Sequence, residues 1–97
     1  MIQSFADEGT EDIYHGINSG KARRTLPHNL VRIAMRKLDS LDAATRLDDL
    51  RIPPSNHLEA LSKDLKGYHS IRINDQYRIV FKWTQTGIEE VKISDYH

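Results

Sequence analysis

The sequence predicts an α+β domain in which helices pack on one face of a mainly antiparallel sheet. Two observations predict this class. In the first half, apolar residues recur at the spacing of an amphipathic helix, and after Pro53-Pro54 the apolar period changes to two, as in half-buried strands. A chain of 97 residues with 38% hydrophobic and 29% charged residues has the size and composition of one unit, so residues 1–97 are predicted to form a single compact domain.

The first half reads as one strand followed by two helices. "MIQSF" alternates and predicts a short strand, and "ADEGTEDIYHGINSG" predicts a short helix ended by Gly16 or Gly20. "TLPHNLVRIAMRKLDSLDAA" predicts a longer helix that starts near Thr25 and Pro27. Its apolar stripe consists of Leu30, Ala34, Leu38 and Leu41.

The second half reads as strands in succession. "RIPPSN" must be a loop, because two consecutive prolines remove two backbone donors. The segments after it with strand character are "HLEALS", "YHSIRI", "QYRIVFKW" and "IEEVKISDYH". They amount to three or four strands, and the predicted order of the whole chain is β-α-α-β-β-β.

The register of the central hairpin follows from the need to bury one face. A two-residue loop at Asn74-Asp75 would leave apolar and charged residues mixed on both faces. A three-residue loop, residues 74–76, pairs Ile71 with Ile79 and Arg72 with Arg78, so that one face is apolar and the other polar. We therefore predict the three-residue loop.

This register places Arg72, Arg78 and Lys82 on the sheet face away from the helices. Two arginines opposed across strands repel each other unless an anion lies between them. Guanidinium groups match phosphate oxygens, so the pattern is typical of a phosphate site. A solvent-exposed sheet face with solubilising charges accounts for it equally well, and both interpretations stay open at this point.

Composition and charge exclude several classes of protein. There is no cysteine, which excludes disulfides and thiolate metal sites and fits a cytoplasmic protein. No signal peptide and no membrane-spanning segment are predicted. The histidines show no metal-ligand spacing, so neither a metal nor another cofactor is expected. The formal net charge of zero argues against a generic nucleic-acid binder, although acidic residues 1–20 precede basic residues 21–37.

The stretch "GYHSIRINDQYRIVFKW", together with a chain that ends in "ISDYH", resembles the HigB-type toxins of the RelE superfamily. These are the toxin components of bacterial type II toxin–antitoxin systems. The resemblance implies a compact β-α-α-β-β-β fold and a cytoplasmic, metal-independent endoribonuclease. It also implies that the enzyme cuts mRNA in the decoding site of a translating 70S ribosome and thereby inhibits translation. The implied partner is a HigA-like helix-turn-helix antitoxin, with operator DNA contacted only through that antitoxin and no membrane involved.

The resemblance also implies site residues. By position, the C-terminal active-site residues are Asp95, Tyr96 and His97, and the catalytic arginine of the sheet is Arg78. In several HigB toxins a histidine precedes the basic turn, in stretches such as "LHPLKG", whereas Glu59 stands there in "LEALSK". The related YoeB group has glutamate at this place, in stretches resembling "PEPLK", and that glutamate is taken as the general base.

The roles expected from this resemblance are those of a ribonuclease that uses the 2′-OH of its substrate. Glu59 is the base with Asp95 as a second candidate, and Arg78 binds the scissile phosphate with help from Arg72. His97 is the general acid or a phosphate donor, and Tyr96 stacks on a base or binds the phosphate. The remaining RNA-binding candidates are Lys63, Lys66 and Lys82.

Two questions stay open at the level of sequence. Strict alternation along the last strand gives Tyr96 to the arginine face but places Asp95 and His97 on the other. The neutral charge departs from the strongly basic character of many of these toxins. A weakly active or non-catalytic binding module that acts through its antitoxin in autoregulation is therefore the alternative function.

Overall fold

The structure is a computed structural model, and it describes residues 1–95. These residues form three α-helices and a four-stranded antiparallel sheet. The helices are α1 (Glu8–Tyr14), α2 (Gly20–Thr25) and α3 (Val31–Ala43). The strands are β1 (Glu59–Ala60), β2 (Tyr68–Arg72), β3 (Tyr77–Thr84) and β4 (Gly87–Asp95). The predicted α+β class is confirmed.

The sheet has the order β1-β2-β3-β4, so every strand pairs with its neighbour in sequence. In the central hairpin Ile71 pairs with Ile79, and Arg72 pairs with Arg78. The backbone N–H of Ile73 donates to the carbonyl of Tyr77 over 2.9 Å, which closes the predicted three-residue loop. The register prediction is therefore confirmed, because only this pairing buries one apolar face.

The core lies between α3 and the apolar face of the sheet. Ala34, Leu38 and Leu41 of α3 are fully buried, as the apolar stripe of the sequence predicts. Opposite them, the fully buried strand residues are Ile71, Ile79, Phe81 and Val91. Side chains on the same strands at intervening positions therefore point to the other side of the sheet.

The predicted longer helix forms as α3, but its predicted start near Thr25 and Pro27 was wrong, because α3 begins at Val31. The Ser19 hydroxyl accepts a hydrogen bond from the backbone N–H of Ala22 over 3.0 Å and thereby caps the separate helix α2, which ends at Thr25. Pro27 then begins a 3-10 turn, His28–Leu30, that leads into α3. A helix of six residues with only one buried side chain, Ala22, carries almost no periodic signal, and for this reason the sequence pattern missed it.

The N-terminal segment pairs with β4 but does not form the continuous strand predicted from "MIQSF". It makes two isolated parallel bridges, Ile2 with Ile88 and Phe5 with Val91. Between them β4 is irregular: Val80 pairs with Lys92 and Lys82 with Glu89, so β4 carries one residue more than β3 in this interval. Glu90 has a φ of 56°, and the resulting bulge interrupts the ladder.

The predicted strand "HLEALS" shortens to two residues. Before it, the 3-10 turn Pro54–Asn56 ends at His57 in the left-handed conformation, with a φ of 45°. After it, a second 3-10 turn, Lys63–Leu65, connects β1 to β2. Among residues 1–95, no helix is long and apolar enough to cross a membrane.

Candidate functional site

The side of the sheet that points away from the helices, here called the outer face, is built from rows of paired residues. The row nearest the β2–β3 turn contains Arg72, Arg78 and Ser94. The next row contains Glu59, Ser70, Val80 and Lys92. The third row contains Tyr68, Lys82 and Glu89. Register alone therefore brings the predicted base Glu59 and the predicted arginine Arg78 to adjacent rows of one surface.

Arg78 is the most strongly held charged side chain of the outer face. Its Nε donates to the Ser70 hydroxyl over 2.7 Å, and its Nη2 donates to the carbonyl oxygen of His57 over 2.6 Å. Only 8% of Arg78 is exposed. A buried guanidinium held from two sides keeps one orientation and loses little side-chain entropy when an anion binds.

The acceptor carbonyl of His57 is itself positioned by the loop before β1. Asn56 is buried, and its Nδ2 donates to the carbonyl of Leu50 over 3.1 Å. Its Oδ1 accepts a hydrogen bond from Lys37 Nζ of helix α3. Asn56 therefore ties the loop to the helix layer, and the left-handed His57 that follows presents its carbonyl to Arg78.

Sequence reasoning assigned no role to Ser70 or to the His57 carbonyl. Ser70 is fully buried in the row between Glu59 of β1 and Val80 of β3. A small hydroxyl residue in the middle of a strand, one row from an arginine, is a signal that the sequence contains. The His57 carbonyl has no comparable signal, because any residue carries a carbonyl and only the loop conformation directs it.

Arg72 and Arg78 are opposed across strands as predicted, but their guanidinium groups donate hydrogen bonds to different acceptors of the protein. Arg72 Nε donates to the carbonyl of Asn74 over 3.1 Å, and its guanidinium forms an ion pair with Asp75 on the β2–β3 turn. Arg78 binds Ser70 and the loop before β1. These acceptors offset part of the repulsion between the two guanidinium groups, and the phosphate site predicted at Arg72 and Arg78 stays a prediction.

Glu59 is exposed on the edge strand β1, directly opposite Ser70. Since Ser70 accepts the hydrogen bond from Arg78, one buried hydroxyl lies beside both the carboxylate-bearing residue and the guanidinium. A carboxylate in water on the same face as a fixed cation can accept a proton from a substrate that the cation binds. The outer face therefore offers a candidate base, Glu59, and a candidate phosphate-binding cation, Arg78.

Asp95 lies on the other face, as alternation predicts. It pairs with Tyr77 of β3, and its Oδ2 accepts a hydrogen bond from Gln76 Nε2 over 3.0 Å. Ser94, one residue earlier, shares the row of Arg78. The other two predicted C-terminal residues, Tyr96 and His97, lie outside the described residues.

The predicted lysines lie at the opposite end of the outer face from Arg72. Lys63 and Lys66 are exposed on the 3-10 turn that leads into β2, and Lys82 is exposed on β3 opposite Tyr68. The row of Glu59 therefore lies between the two arginines on one side and the three lysines on the other. Cations spread along a surface in this way match the successive phosphates of a polymer better than one isolated phosphate. Within residues 1–95 there is no group of three or more side chains that could hold a metal ion.

Comparisons with known proteins identify the family of this chain. Residues 3–97 match the family described as the RelE-like toxin of the type II toxin–antitoxin system HigB. Toxin HigB-1 of Vibrio cholerae is 43% identical over 83 residues, which cover 86% of this chain and 84% of that toxin. The chain belongs to the HigB-like family of RelE-like toxins. The family resemblance predicted from the sequence is confirmed.

Further relatives extend the comparison to uncharacterised and solved proteins. An uncharacterised protein of Haemophilus influenzae is 33% identical over 84 residues, which cover 87% of this toxin and 83% of that protein. The structure of a heterotetrameric YoeB–YefM toxin–antitoxin complex from Staphylococcus aureus matches with a TM-score of 0.61 and 24% identity, over 100% of this toxin and 95% of that chain. A YoeB/ParE toxin from Agrobacterium tumefaciens matches with a TM-score of 0.52 and 20% identity, over 98% and 99% of the two chains. At these identities the structural matches show the shared fold.

Proposed function

We propose that this HigB-family toxin is a ribosome-dependent mRNA endoribonuclease that inhibits translation. One observation carries the proposal: Arg78 is buried and fixed by Ser70 and the His57 carbonyl, on the same face of the sheet as Glu59. A preoriented guanidinium stabilises the charge that develops on a phosphate during cleavage. The proposal is supported further by membership of the family.

The proposed reaction needs no metal and uses the 2′-OH of the RNA as the nucleophile. Glu59 takes the proton of the 2′-OH while the 2′-oxygen bonds to phosphorus and the bond from phosphorus to the 5′-oxygen breaks. Arg78, with Arg72 beside it, binds the non-bridging oxygens as their charge grows. The products are a 2′,3′-cyclic phosphate and a free 5′-hydroxyl.

The remaining roles rest on the family resemblance and on position. His97 protonates the leaving 5′-oxygen or binds the phosphate, and Tyr96 stacks on a base or hydrogen-bonds the phosphate. Asp95 is a second candidate base, although in residues 1–95 its strand partner is Tyr77 of the other face. Lys63, Lys66 and Lys82 contact the RNA backbone as exposed cations.

The proposed partner that neutralises the toxin is a HigA-like helix-turn-helix antitoxin, and operator DNA is contacted only through it. The family description places such toxins in a type II toxin–antitoxin system. A toxin of the same fold from Staphylococcus aureus has been solved in a complex with its antitoxin YefM. The proposed place of action is the cytoplasm, where ribosomes translate mRNA.

Arg78→Ala and a chain that ends after Asp95 test the assignment. If Arg78 binds the scissile phosphate, its removal should lower mRNA cleavage by about 10²- to 10³-fold, the usual cost of losing one stabilising donor in the transition state. Loss of Tyr96 and His97 should lower cleavage similarly. The measurement maps mRNA 5′ ends and growth after each variant is induced in bacteria, with and without active translation.

A matched control is Arg24→Ala, which removes an exposed arginine from α2 in the helix layer and should leave cleavage unchanged. If Arg78→Ala and the shortened chain both still cut translated mRNA, the site assignment is wrong. If the unaltered toxin neither arrests growth nor cuts mRNA, the alternative of a non-catalytic module that acts through its antitoxin replaces the proposal.

A further inference from the structure

A groove beside the outer face is lined on three sides by basic and polar groups. It lies between helix α3, the loop before β1 and the β2–β3 turn, and its volume is about 480 Å³. This volume falls within the range of about 300–1,000 Å³ that is typical of ligand sites. The lining residues that bear on its chemistry are Ile33, Arg36, Lys37, His57, Arg72 and Asn74.

The cations of this groove are incompletely neutralised by the protein. Among residues 1–95, neither Arg36 nor Lys37 forms an ion pair with a carboxylate. Lys37 donates to the neutral amide oxygen of Asn56, and burial together with the nearby charge of Arg36 lowers the pKa of Lys37. Two adjacent cations at the rim of a groove repel each other, and an anion placed between them would relieve that repulsion.

Arg72 is the third cation of the groove, and its ion-pair partner Asp75 is the acidic residue of the groove. Its guanidinium is paired with Asp75, whose side chain is 96% exposed at the tip of the turn. An ion pair with so exposed a partner is weak, because water and salt screen it. An incoming anion can therefore share or replace Asp75 on Arg72 at little cost.

The groove is continuous with the proposed active site. Arg72 pairs directly with Arg78, and the residue whose carbonyl accepts from Arg78 Nη2, His57, also lines the groove. A polymer held at Arg78 can therefore continue into the groove without leaving the surface.

We propose that this groove binds a phosphodiester of the RNA strand one or more nucleotides away from the bond at Arg78, through Arg36 and Lys37, with Arg72 lying between the groove and Arg78. The inference rests on the proposed function for the identity of the polymer. A nucleotide fits the lining better than an acidic peptide does, because the groove combines cations with the exposed His57 and the half-buried Ile33, against which a base can stack.

The experiment measures binding of a fluorescently labelled 2′-O-methyl oligoribonucleotide by anisotropy over a series of salt concentrations. This probe carries RNA phosphates and lacks the free 2′-OH, so binding is read without cleavage. The variants are Arg36→Gln, Lys37→Gln and Asp75→Asn. The matched control is Arg32→Gln, since Arg32 is also an exposed arginine of α3 but lies one turn away and lines no part of this groove.

Each lost phosphate contact reduces the slope of log K against log salt by about 0.7 for single strands, which corresponds to about 5-fold in affinity near 0.1 M salt. Arg36→Gln and Lys37→Gln should therefore each weaken binding about 5-fold and flatten the slope. Asp75→Asn removes the competing acid and should strengthen binding, whereas Arg32→Gln should leave it unchanged. Within residues 1–95 the exposed side chain of Arg36 forms no ion pair with a carboxylate, so its replacement should not affect folding.

Two outcomes overturn the inference. The first is that Arg36→Gln and Arg32→Gln change the affinity and the salt slope of the RNA probe equally. That result would indicate that the positive charge of α3 attracts RNA without a specific site in the groove. The second is that a poly-glutamate peptide, tested in parallel, binds through Arg36 while the RNA probe does not, which would assign the groove to an acidic protein partner. The proposed cleavage is judged separately by Arg78→Ala, so either proposal can fail while the other stands.

Discussion

His69 is a titratable side chain on the apolar face of the sheet. It pairs with Phe81, and the two rings are stacked with centroids 6.2 Å apart. Within residues 1–95, no group hydrogen-bonds to its buried Nδ1 atom. Burial lowers the pKa of His69 below its ordinary value of 6.5, because the imidazolium would have to leave water. Burial therefore favours the neutral imidazole over the imidazolium in the folded protein.

The stability of the protein should therefore fall in mildly acidic solution. Well above pH 6.5, His69 is neutral in both the folded and the unfolded chain, so it does not make the free energy of unfolding depend on pH. As the pH falls through about 6.5, the unfolded chain gains a proton that the folded chain resists, so the free energy of unfolding decreases until the lower folded pKa is reached. Urea denaturation of wild type and His69→Leu at about pH 7.5 and about pH 5.5 measures this difference.

In that comparison, His69→Leu should lose less stability between the two pH values than wild type does. His28→Gln, which changes an exposed histidine, should behave as wild type. An unchanged pH dependence in His69→Leu would contradict the lowered pKa of His69.

At the scale of elements, α1 and α2 pack through a glycine. Gly9 of α1 is buried, and a Cβ built there would overlap the Thr25 hydroxyl of α2 and lie 2.8 Å from the carbonyl oxygen of Lys21. The Thr25 hydroxyl in turn donates to that carbonyl over 2.8 Å. The close approach of the two short helices therefore depends on the absence of a side chain at Gly9.

Gly9→Ala should separate α1 from α2 and destabilise the fold by about 1–3 kcal/mol, the usual cost of overpacking. The control is Gly20→Ala, where the nearest atom is the flexible end of Arg24 at 3.2 Å, and there the change should stay below about 1 kcal/mol. Thermal and urea unfolding measure both variants. Equal stability of the two would show that the helices can move apart freely.

At the scale of the whole molecule, Asp42 joins three parts of the chain. Its Oδ1 on α3 accepts a hydrogen bond from the backbone N–H of Ile2 over 2.8 Å, and this anchors the N-terminal segment beside β4. Burial and the neighbouring carboxylate of Asp42 raise the pKa of Tyr14 on α1 above its ordinary 10.0. One carboxylate therefore acts on a helix and on the segment that borders the sheet.

Asp42→Ala should cost about 1–2 kcal/mol, because it removes the partner of a backbone N–H that is partly shielded from water. Asp42→Asn keeps an acceptor and should cost less. In both variants the pKa of Tyr14 should move down toward 10.0, since the negative neighbour is gone. Ultraviolet titration, with Tyr14→Phe used to identify the residue, measures this shift, and an unchanged pKa would contradict the role of Asp42.

The sequence by itself determined the α+β class, the succession of strands in the second half and the register of the β2–β3 hairpin. These features follow from the period of apolar residues, because only one pairing of the hairpin buries Ile71 and Ile79 together. The same register placed Arg72, Arg78 and Lys82 on one face, and the pairing of β1 with β2 in the structure adds Glu59 to it.

Only the tertiary structure decided what holds Arg78 and where Arg72 points. The carbonyl of His57 lies 21 residues from Arg78 in sequence, and it reaches the guanidinium through a left-handed turn fixed by Asn56. Helix α2 and the bulge at Glu90 were likewise decided by capping and packing, which local periodicity does not report. The pattern of side chains in the sequence does not indicate where a backbone carbonyl points or where a short capped turn forms. These features are determined only when distant segments of the chain pack together.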